Sequence, residues 1–366
     1  MRVAVVGLGE AGFTLHLPAL AGMPDRSVVG AVDLDRDRRE RAQAVFKVPV
    51  FEHLDEMLER TKPDVVCIGT PPGTHAELCL RAIAAGAHVL CEKPFVSSIA
   101  EADRVLAAAR AAGRRVALNH EFREMPIFRA VRDAVSSGAT GALNFAQAWQ
   151  LIDLPPWSET GWRGQMVQRT LFEAGVHLVD LLMALFGERP RAVQAWTSSS
   201  GQESDSDAVV TVTLEFSRGR LATLVQNRLS QGEKQYLELR ADTDRASLRA
   251  SFGGRARVSA GLFRSSRPHV RFEYGIAGLA WREVGARRWQ LARNPGDPNM
   301  MATREVFKRT FAAFQDGGEP PVSGEAGRDV IMVIAAAYHA AATGTRVTID
   351  DALVATLRDQ RLGSQT

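Results

Sequence analysis

The chain has 366 residues, of which 45% are hydrophobic and 24% charged, and its formal net charge is +3. Because single hydrophobic cores stop growing at roughly 250 to 300 residues, this length predicts two domains. The arginines alternate with acids, and no segment approaches the roughly 20 apolar residues that span a bilayer. We therefore expect neither a nucleic-acid partner nor a membrane partner. The start lacks a signal-peptide pattern, so we expect a cytoplasmic protein.

The first third of the chain alternates short β-branched runs with longer amphipathic runs. Strands are predicted at 2–6, 27–32, 65–69, 88–91 and 115–118, and helices at 36–46, 54–59, 75–85 and 99–112. Such alternation predicts an α/β fold in which a parallel sheet is doubly wound by helices. We assign this domain to residues 1–122.

Residues 123–366 are predicted to form a second domain of α+β type. A helix at 126–136 precedes long alternating runs, and strands are predicted at 143–152, 192–198, 208–216, 220–228 and 236–240, with weaker candidates up to 284. Further helices are predicted at 171–186, 303–315 and 327–343, before a strand at 346–349. This pattern predicts a large, mostly antiparallel open sheet with helices on one face. A second subunit is expected to cover the other face.

A glycine-rich turn follows the first strand and opens a helix. It comprises Gly7, Leu8, Gly9, Glu10, Ala11 and Gly12. Glycines in this arrangement allow a tight turn, a close approach of the backbone to a pyrophosphate, and close packing of helix against strand. Asp33, at the end of the second strand, stands at the expected distance to accept hydrogen bonds from a ribose 2′-hydroxyl. We therefore predict an NAD site, while Arg36 and Arg38 leave NADP as the alternative.

Two more segments follow strands at the same predicted edge of the sheet. Thr70 and Pro71 are expected to line the nicotinamide-ribose side, and His75 to cap the next helix. Glu92-Lys93-Pro94 follows the next strand, in a chain with five lysines. Lysine changes its protonation state far more readily than arginine, so the position of Lys93 after a strand at this edge suggests a chemical role. Cys67, Cys79 and Cys91 lack metal-ligand spacing, and we expect no metal site.

Taken in order, these motifs resemble the Gfo/Idh/MocA oxidoreductases, the family of glucose-fructose oxidoreductase and inositol dehydrogenase. The resemblance includes the boundary segment Asn119-His120-Glu121-Phe122-Arg123 and the later run 173–180. It implies an N-terminal Rossmann domain and hydride transfer between NAD(P) and the hydroxyl-bearing carbon of a sugar, cyclitol or related compound. It also implies a homodimer or homotetramer built through the sheet, a cofactor site that includes Glu92 and Asn119, and a cis Lys93-Pro94 bond.

The same resemblance places Lys93 and His177 beside the reacting carbon, with Glu173 four residues before the histidine. The unperturbed pKa of histidine, about 6.5, suits His177 as the proton acceptor. A lysine cation suits Lys93 as the group that stabilises developing alkoxide. In an α-helix residues four apart are neighbours, so we expect Glu173 to orient the His177 ring.

The segment before His177 departs from the family pattern, which more often has glycines and an aspartate there. Arg169, Trp162 and Arg163 lie nearby; arginine binds carboxylate or phosphate, and tryptophan stacks on a sugar face. An anionic sugar or a glycoside is one interpretation, and arginines on a solvated loop are the other. Arg123 and Asp180 are further candidate substrate contacts, although Asp180 could equally pair with a neighbour.

Two other functions remain open from the sequence alone. One is a redox-neutral enzyme that retains NAD and transiently oxidises a hydroxyl of a sugar. The other is a regulatory protein that senses the nucleotide without catalysis. Lys93 and His177 argue against the second, since a sensor needs neither residue.

Overall fold

In the computed structural model, residues 1–153, 160–201, 206–231, 235–253, 255–261, 269–275 and 278–363 are described. Two large sheets organise them, and a separate pair of antiparallel strands, β13 (Arg255–Gly261) and β14 (His269–Gly275), forms a third. Within the described ranges, no helix is both long and apolar enough to cross a membrane. The cytoplasmic location stays a prediction.

The first sheet has six parallel strands in the order β3-β2-β1-β4-β5-β6, which is the Rossmann order. Its strands are β1 (Arg2–Val6), β2 (Ser27–Val32), β3 (Val50–Phe51), β4 (Val65–Ile68), β5 (His88–Glu92) and β6 (Val116–Asn119). The helices between them are α1 (Leu17–Ala21), α2 (Arg36–Phe46), α3 (Leu54–Thr61), α4 (His75–Ala84) and α5 (Ile99–Ala111). The predicted doubly wound sheet is confirmed; β3, with two residues, is too short to produce a sequence pattern.

The second sheet has nine strands in the order β16-β15-β12-β11-β7-β10-β9-β8-β17, and only β7 and β10 are parallel neighbours. Its strands are β7 (Leu143–Ile152), β8 (Ala192–Ser198), β9 (Val209–Glu215), β10 (Leu221–Asn227), β11 (Gln235–Thr243), β12 (Ser247–Phe252), β15 (Leu279–Val284), β16 (Arg287–Arg293) and β17 (Val347–Thr348). The predicted open, mostly antiparallel sheet is confirmed, and the structure adds β16 beyond the last predicted candidate.

The remaining helices are α6 (Pro126–Ser136), α7 (Gly161–Gly164), α8 (Val176–Phe186), α9 (Pro298–Asp316), α10 (Gly324–Thr343) and α11 (Asp351–Leu357). Of these helices, α6 and α8 pack on the large sheet, α9 packs against the Rossmann sheet, and α10 contacts both. Apolar residues at helical spacing on α9, including Phe307 and Phe311, pack with Val5 and Leu90 of the Rossmann sheet. The core of the first sheet therefore includes a helix from near the end of the chain, and the domain boundary at residue 122 stays a prediction.

Edge strand β6 is also covered from the far end of the chain. The Leu118 amide donates to the Val322 carbonyl oxygen at 3.0 Å, and Ala117 forms an antiparallel bridge with Ser323. The Ser323 side chain then caps α10 by accepting a hydrogen bond from the Ala326 amide. This contact satisfies backbone groups that a bare edge would leave unpaired.

Candidate active site

A cavity of about 860 Å³ runs along the carboxyl ends of the Rossmann strands. At one end it is lined by Gly7, Gly9, Glu10, Ala11 and Asp33, and at the other by Lys93, Glu121, Trp162, Arg163 and Glu173. Thr70, Pro71 and Glu92 line it between these ends. The carboxyl edge of a doubly wound sheet is where nucleotides bind, so the fold brings most of the predicted site residues into one space.

The three glycines of the turn are needed for different reasons. Gly7 has φ +89°, and a Cβ there would lie 2.8 Å from the Gly69 backbone. A Cβ on Gly12 would lie 1.9 Å from the Gly7 carbonyl oxygen. A Cβ on Gly9 would have one neighbour within 4 Å, Arg38 Nη1 at 3.7 Å. Gly9 itself lines the cavity. Gly7 and Gly12 are thus required by the fold, whereas Gly9 leaves room for a ligand against the backbone.

Asp33 closes the same end of the cavity. Its Oδ2 accepts a hydrogen bond from the Leu8 amide at 2.7 Å, and its Oδ1 accepts one from the Asp35 amide at 2.9 Å. Arg38 Nη1 lies 3.7 Å from Asp33 Oδ2 and lines the cavity as well. Leu8 therefore contributes through its amide while its side chain is buried. A carboxylate fixed in this way suits a ribose hydroxyl, and Arg38 keeps the NADP alternative open.

His75 is placed differently from the sequence-based expectation. It is the first residue of α4, whose N-cap residue is Thr74, and its buried ring caps no helix. Its Nε2 lies 2.7 Å from the Thr70 carbonyl oxygen, and its Nδ1 lies 3.0 Å from those of Pro94 and Phe95. The ring therefore links the Thr70 turn to the Lys93-Pro94 turn, and it does not line the cavity. The helix-cap prediction is wrong because these carbonyl groups occupy both ring nitrogens.

Glu92 is held by a buried polar cluster. His16 Nε2 lies 2.8 Å from Glu92 Oε1, and Asn119 Nδ2 donates to the same oxygen at 2.6 Å. His16 belongs to a π-helical turn, Gly12–His16, that directly follows the glycine turn. Burial alone would raise the pKa of Glu92, but His16, Asn119 and the Lys93 charge lower it. Asn119 is fully buried and acts on the cavity through Glu92.

Lys93 projects from this fixed segment into the cavity. The predicted cis Lys93-Pro94 bond is confirmed. The Nζ atom of Lys93 donates a hydrogen bond to the backbone carbonyl oxygen of Glu173, at 3.1 Å. This contact joins the end of strand β5 to the segment that precedes α8. The sequence motif around Lys93 and the motif around Glu173, 80 residues apart, therefore meet at one place.

The carboxylate of Glu173 pairs with arginines and not with His177. Its Oε1 accepts a hydrogen bond from Arg163, and its Oε2 accepts one from Arg169 Nε at 3.2 Å. Burial alone would raise the pKa of Glu173, but Arg163, Lys93 and Arg169 lower it. The predicted pairing with His177 assumed α-helical spacing, whereas Thr170–Gly175 is a π-helical turn. A π-turn bonds to the fifth residue along, which shifts the register between Glu173 and α8, and the two arginines occupy both carboxylate oxygens of Glu173.

The His177 ring lies behind the cavity wall. It stacks on Phe122, with ring centroids 4.1 Å apart, and is 5% exposed. Its Nε2 lies 3.9 Å from Glu121 Oε1, while its Nδ1 has no hydrogen-bond partner. Burial, and then the charges of Lys93 and His120, lower the pKa of His177 well below its usual value. The ring is therefore neutral near pH 7, and its surroundings disfavour the protonated form.

The other proposed substrate contacts divide into two groups. Trp162 and Arg163 line the cavity, with the Arg163 guanidinium 4.4 Å from the Trp162 ring centroid. Arg123 and Asp180 do not line it: they form a bidentate ion pair, at 2.7 and 2.6 Å. Arg169 is 2% exposed and reaches the site through Glu173. The expectation that Arg123, Asp180 and Arg169 contact substrate directly is therefore corrected.

Glu121 also lines the cavity, although its motif alone predicts no role for it. It begins the 3-10 turn Glu121–Glu124 just after β6, and its Oε2 is buried without a partner. Burial, with the charges of Glu92 and Asp180, raises the pKa of Glu121 to about 8 against the opposing charge of Lys93. An acid two residues beyond a parallel strand, at the edge that binds the nucleotide, was the available signal.

The strand order, the glycine turn and Asp33 define a dinucleotide-binding Rossmann protein. The chain belongs to the GFO/IDH/MocA family of oxidoreductases: residues 1–120 match the family's NAD-binding Rossmann fold, and residues 128–251 match its C-terminal domain. The resemblance inferred from the motifs is confirmed. Among the described residues, no three potential metal ligands lie together.

Relatives with known names extend this comparison. The chain is 31% identical over 193 residues to dTDP-3,4-didehydro-2,6-dideoxy-alpha-D-glucose 3-reductase of Streptomyces violaceoruber, a match that covers 52% of this chain and 56% of that reductase. It is 26% identical to myo-inositol 2-dehydrogenase of Thermotoga maritima, over 91% of this chain and 94% of that enzyme. An oxidoreductase from Agrobacterium radiobacter, solved with NAD+, L-tartaric acid and magnesium, has the same fold, with TM-score 0.80, 16% identity and coverage of 98% and 99%.

Proposed function

We propose that this protein is an NAD-dependent oxidoreductase that acts on a secondary alcohol or the matching ketone of a sugar, cyclitol or sugar derivative. One observation carries the proposal: a single cavity extends from the glycine turn to Lys93 and the Trp162 wall. A dinucleotide that starts at Gly9 and Asp33 would have its nicotinamide end near Lys93. The named relatives, a sugar reductase and a cyclitol dehydrogenase, support the same substrate class.

The residues of the cavity fit NAD, and each has a different proposed role in the reaction. When bound, NAD accepts or supplies hydride at the nicotinamide ring. Lys93, held by the Glu173 carbonyl group, stabilises negative charge on the substrate oxygen as the alcohol loses its proton. His177, the predicted proton acceptor, lies behind the wall; its lowered pKa makes it a weak base, and its proposed role is to accept a hydrogen bond from Glu121. Glu173 positions Arg163 and, through its backbone, Lys93; the proposed orientation of His177 by Glu173 is withdrawn.

The substrate end of the cavity favours a polar ligand with a flat face. The Trp162 ring offers a stacking surface, and Arg163 offers guanidinium donors beside it. Because the carboxylate of Glu173 already partly neutralises Arg163, a neutral hydroxylated ring suits this end as well as an anionic one. We therefore include neutral sugars, cyclitols, uronates and glycosides in the proposed class.

A substrate panel tests this function. Purified protein is mixed with NAD or NADP and with members of each compound class, and absorbance reports NADH or NADPH. We expect turnover with at least one sugar-like alcohol, and a fall of about 100-fold to 1,000-fold in kcat for Lys93→Ala, since one stabilising donor at an oxyanion contributes that much. NADH affinity, measured by fluorescence, should stay nearly unchanged. Full activity of Lys93→Ala would contradict the assignment of Lys93, and bound NADH without net turnover would favour the redox-neutral alternative.

The open face of the large sheet supports assembly with a second copy of the chain. Trp196, Thr211, Val225 and Trp149 form a row of cross-strand neighbours on this face. None of the four is fully buried, and Trp196 is 56% exposed. Tryptophan and valine side chains that stay partly accessible on one sheet face are typical of an interface. We propose a homodimer or homotetramer through this face; light scattering should give a multiple of 39.8 kDa, which Trp149→Glu should reduce to the monomer value.

A further inference from the structure

We propose that Glu121 exchanges the substrate proton directly, and that His177 acts behind it; this inference rests on the proposed oxidoreductase function. The geometry shows why an intermediary is needed. Glu121 lines the cavity together with Lys93, whereas His177 does not. Glu121 Oε1 is 3.9 Å from His177 Nε2, so Glu121 connects the ring to the cavity lining.

The surroundings of Glu121 leave it free to carry a proton. No arginine or lysine lies within ion-pair distance of its carboxyl group in the described part of the chain. Its Oε2 is buried, has no hydrogen-bond partner, and belongs to a residue that is 6% exposed. Catalytic hydrogen bonds are often long before substrate binds, so 3.9 Å to His177 requires only a small side-chain rotation.

Neighbouring Glu124 shows how the same residue type behaves in a structural role. It lies three residues on, in the same 3-10 turn, and is also buried. Arg309 Nη1 is 2.6 Å from its carboxylate, and Arg129 and Arg132 are within 4 Å. Glu124 is therefore locked in a cluster of cations, while Glu121 faces the cavity without one.

The charges that face Glu121 determine its protonation. They are Glu92 and Lys93 at the end of strand β5, and His177 and Asp180 on α8. Burial and the carboxylates raise the pKa of Glu121 to about 8, so the group is protonated at neutral pH. A carboxyl group with such a pKa can donate a proton near pH 7 and accept one at slightly higher pH.

Glu121 accepts the proton in alcohol oxidation and donates it in ketone reduction. In alcohol oxidation the hydrogen on carbon leaves with its electron pair as hydride to the nicotinamide. The substrate O–H bond breaks as an O–H bond forms on the Glu121 carboxylate, and a C=O bond results. Glu121 then holds the proton, with the neutral His177 ring 3.9 Å behind it as a hydrogen-bond acceptor. In ketone reduction the protonated Glu121 donates to the oxygen as hydride arrives at carbon.

The sign of the pH dependence follows from these roles. Oxidation needs ionised Glu121, so kcat/KM for the alcohol should rise with pH through about 8. Reduction needs protonated Glu121, so kcat/KM for the ketone should fall above the same pH. Glu121→Gln has nearly the same shape as the protonated acid but cannot transfer its proton. We expect it to lower kcat about 100-fold or more and to abolish the pH limb near 8 in both directions.

The experiment compares wild-type protein, Glu121→Gln and Glu124→Gln. Glu124→Gln serves as the control: it should lower Tm, because it weakens the arginine cluster, but keep the pH limb. Infrared difference spectra across pH 7 to 9 provide a readout without substrate, in which a protonated carboxyl band titrates near pH 8 and is missing from Glu121→Gln. A pH limb or a carboxyl band that persists in Glu121→Gln would overturn the proposal while the oxidoreductase function stands. No wild-type turnover with any compound would instead contradict the function, and the transfer step with it.

Discussion

The two ends of the cavity are built in different ways. At the nucleotide end, consecutive residues of one turn and the end of the next strand create the site, through Gly7, Gly12 and the Asp33–Leu8 hydrogen bond. At the substrate end, Lys93, Glu121, Arg163 and Glu173 come from four separate segments of the chain. Local sequence therefore determines the first end, while tertiary packing determines the second. Substitutions at the two ends should accordingly affect different properties.

Gly9→Ala should have a larger effect than the substrate-end variant Glu173→Gln. It should weaken NADH binding without changing the stability of the fold. The new methyl group meets no backbone atom, so Tm should change little, but it occupies the space left for a pyrophosphate. Overpacking by one methyl typically costs about 1 to 3 kcal/mol, which predicts weaker NADH binding by about 5-fold to 150-fold. Isothermal titration calorimetry and thermal unfolding measure the two properties.

Matched glycine variants strengthen this test. Gly12→Ala should lower Tm as well as affinity, because its Cβ would lie 1.9 Å from a backbone oxygen. Gly73→Ala has nothing within 4 Å of its Cβ and should change neither property. If Gly9→Ala binds NADH as tightly as wild type, the nucleotide does not approach this turn, and the contrast between the two ends fails.

Glu173→Gln should have a smaller effect, seen mainly in stability. It weakens two charge-assisted hydrogen bonds, with Arg163 and the buried Arg169, and we expect a loss of about 1 to 3 kcal/mol in the free energy of unfolding at pH 7. The pKa of Glu173 is lowered in the folded state, so its stabilisation is fully present above the unfolded value of about 4.3 and is lost as pH falls below it. Urea unfolding at pH 7 and in acid measures the difference.

The control for Glu173→Gln is Glu325→Gln. Glu325 pairs with Arg110 at 3.4 Å on the surface, where an ion pair contributes little. Equal decreases in the free energy of unfolding of Glu173→Gln and Glu325→Gln would mean that the charge of Glu173 does not hold the arginines around it. A stability difference between Glu173→Gln and wild type that stays constant down to pH 3 would contradict the lowered pKa.

Most of the fold could be predicted from the sequence because its signals are short in range. Strand and helix alternation, the glycine turn and the proline after Lys93 each depend on a few consecutive residues. The predicted Glu173–His177 pairing is wrong, because a single π-helical turn, which the sequence does not reveal, changes which side chains are neighbours. The Arg123–Asp180 ion pair joins residues 57 positions apart, and no local pattern shows that they satisfy each other. Glu121 was visible in a motif, but its burial with no arginine or lysine at ion-pair distance among the described residues depends on tertiary packing.

Helix α9 has a consequence for how the chain is made. Its Val306, Phe307 and Phe311 complete the apolar layer against Val5 and Leu90 of the parallel sheet. These partners are separated by more than 200 residues, so during synthesis the first sheet emerges long before its cover. A chain interrupted near residue 122 would present that uncovered face to water and to other nascent chains. Nucleotide binding by an isolated N-terminal fragment therefore depends on supplying a substitute for α9.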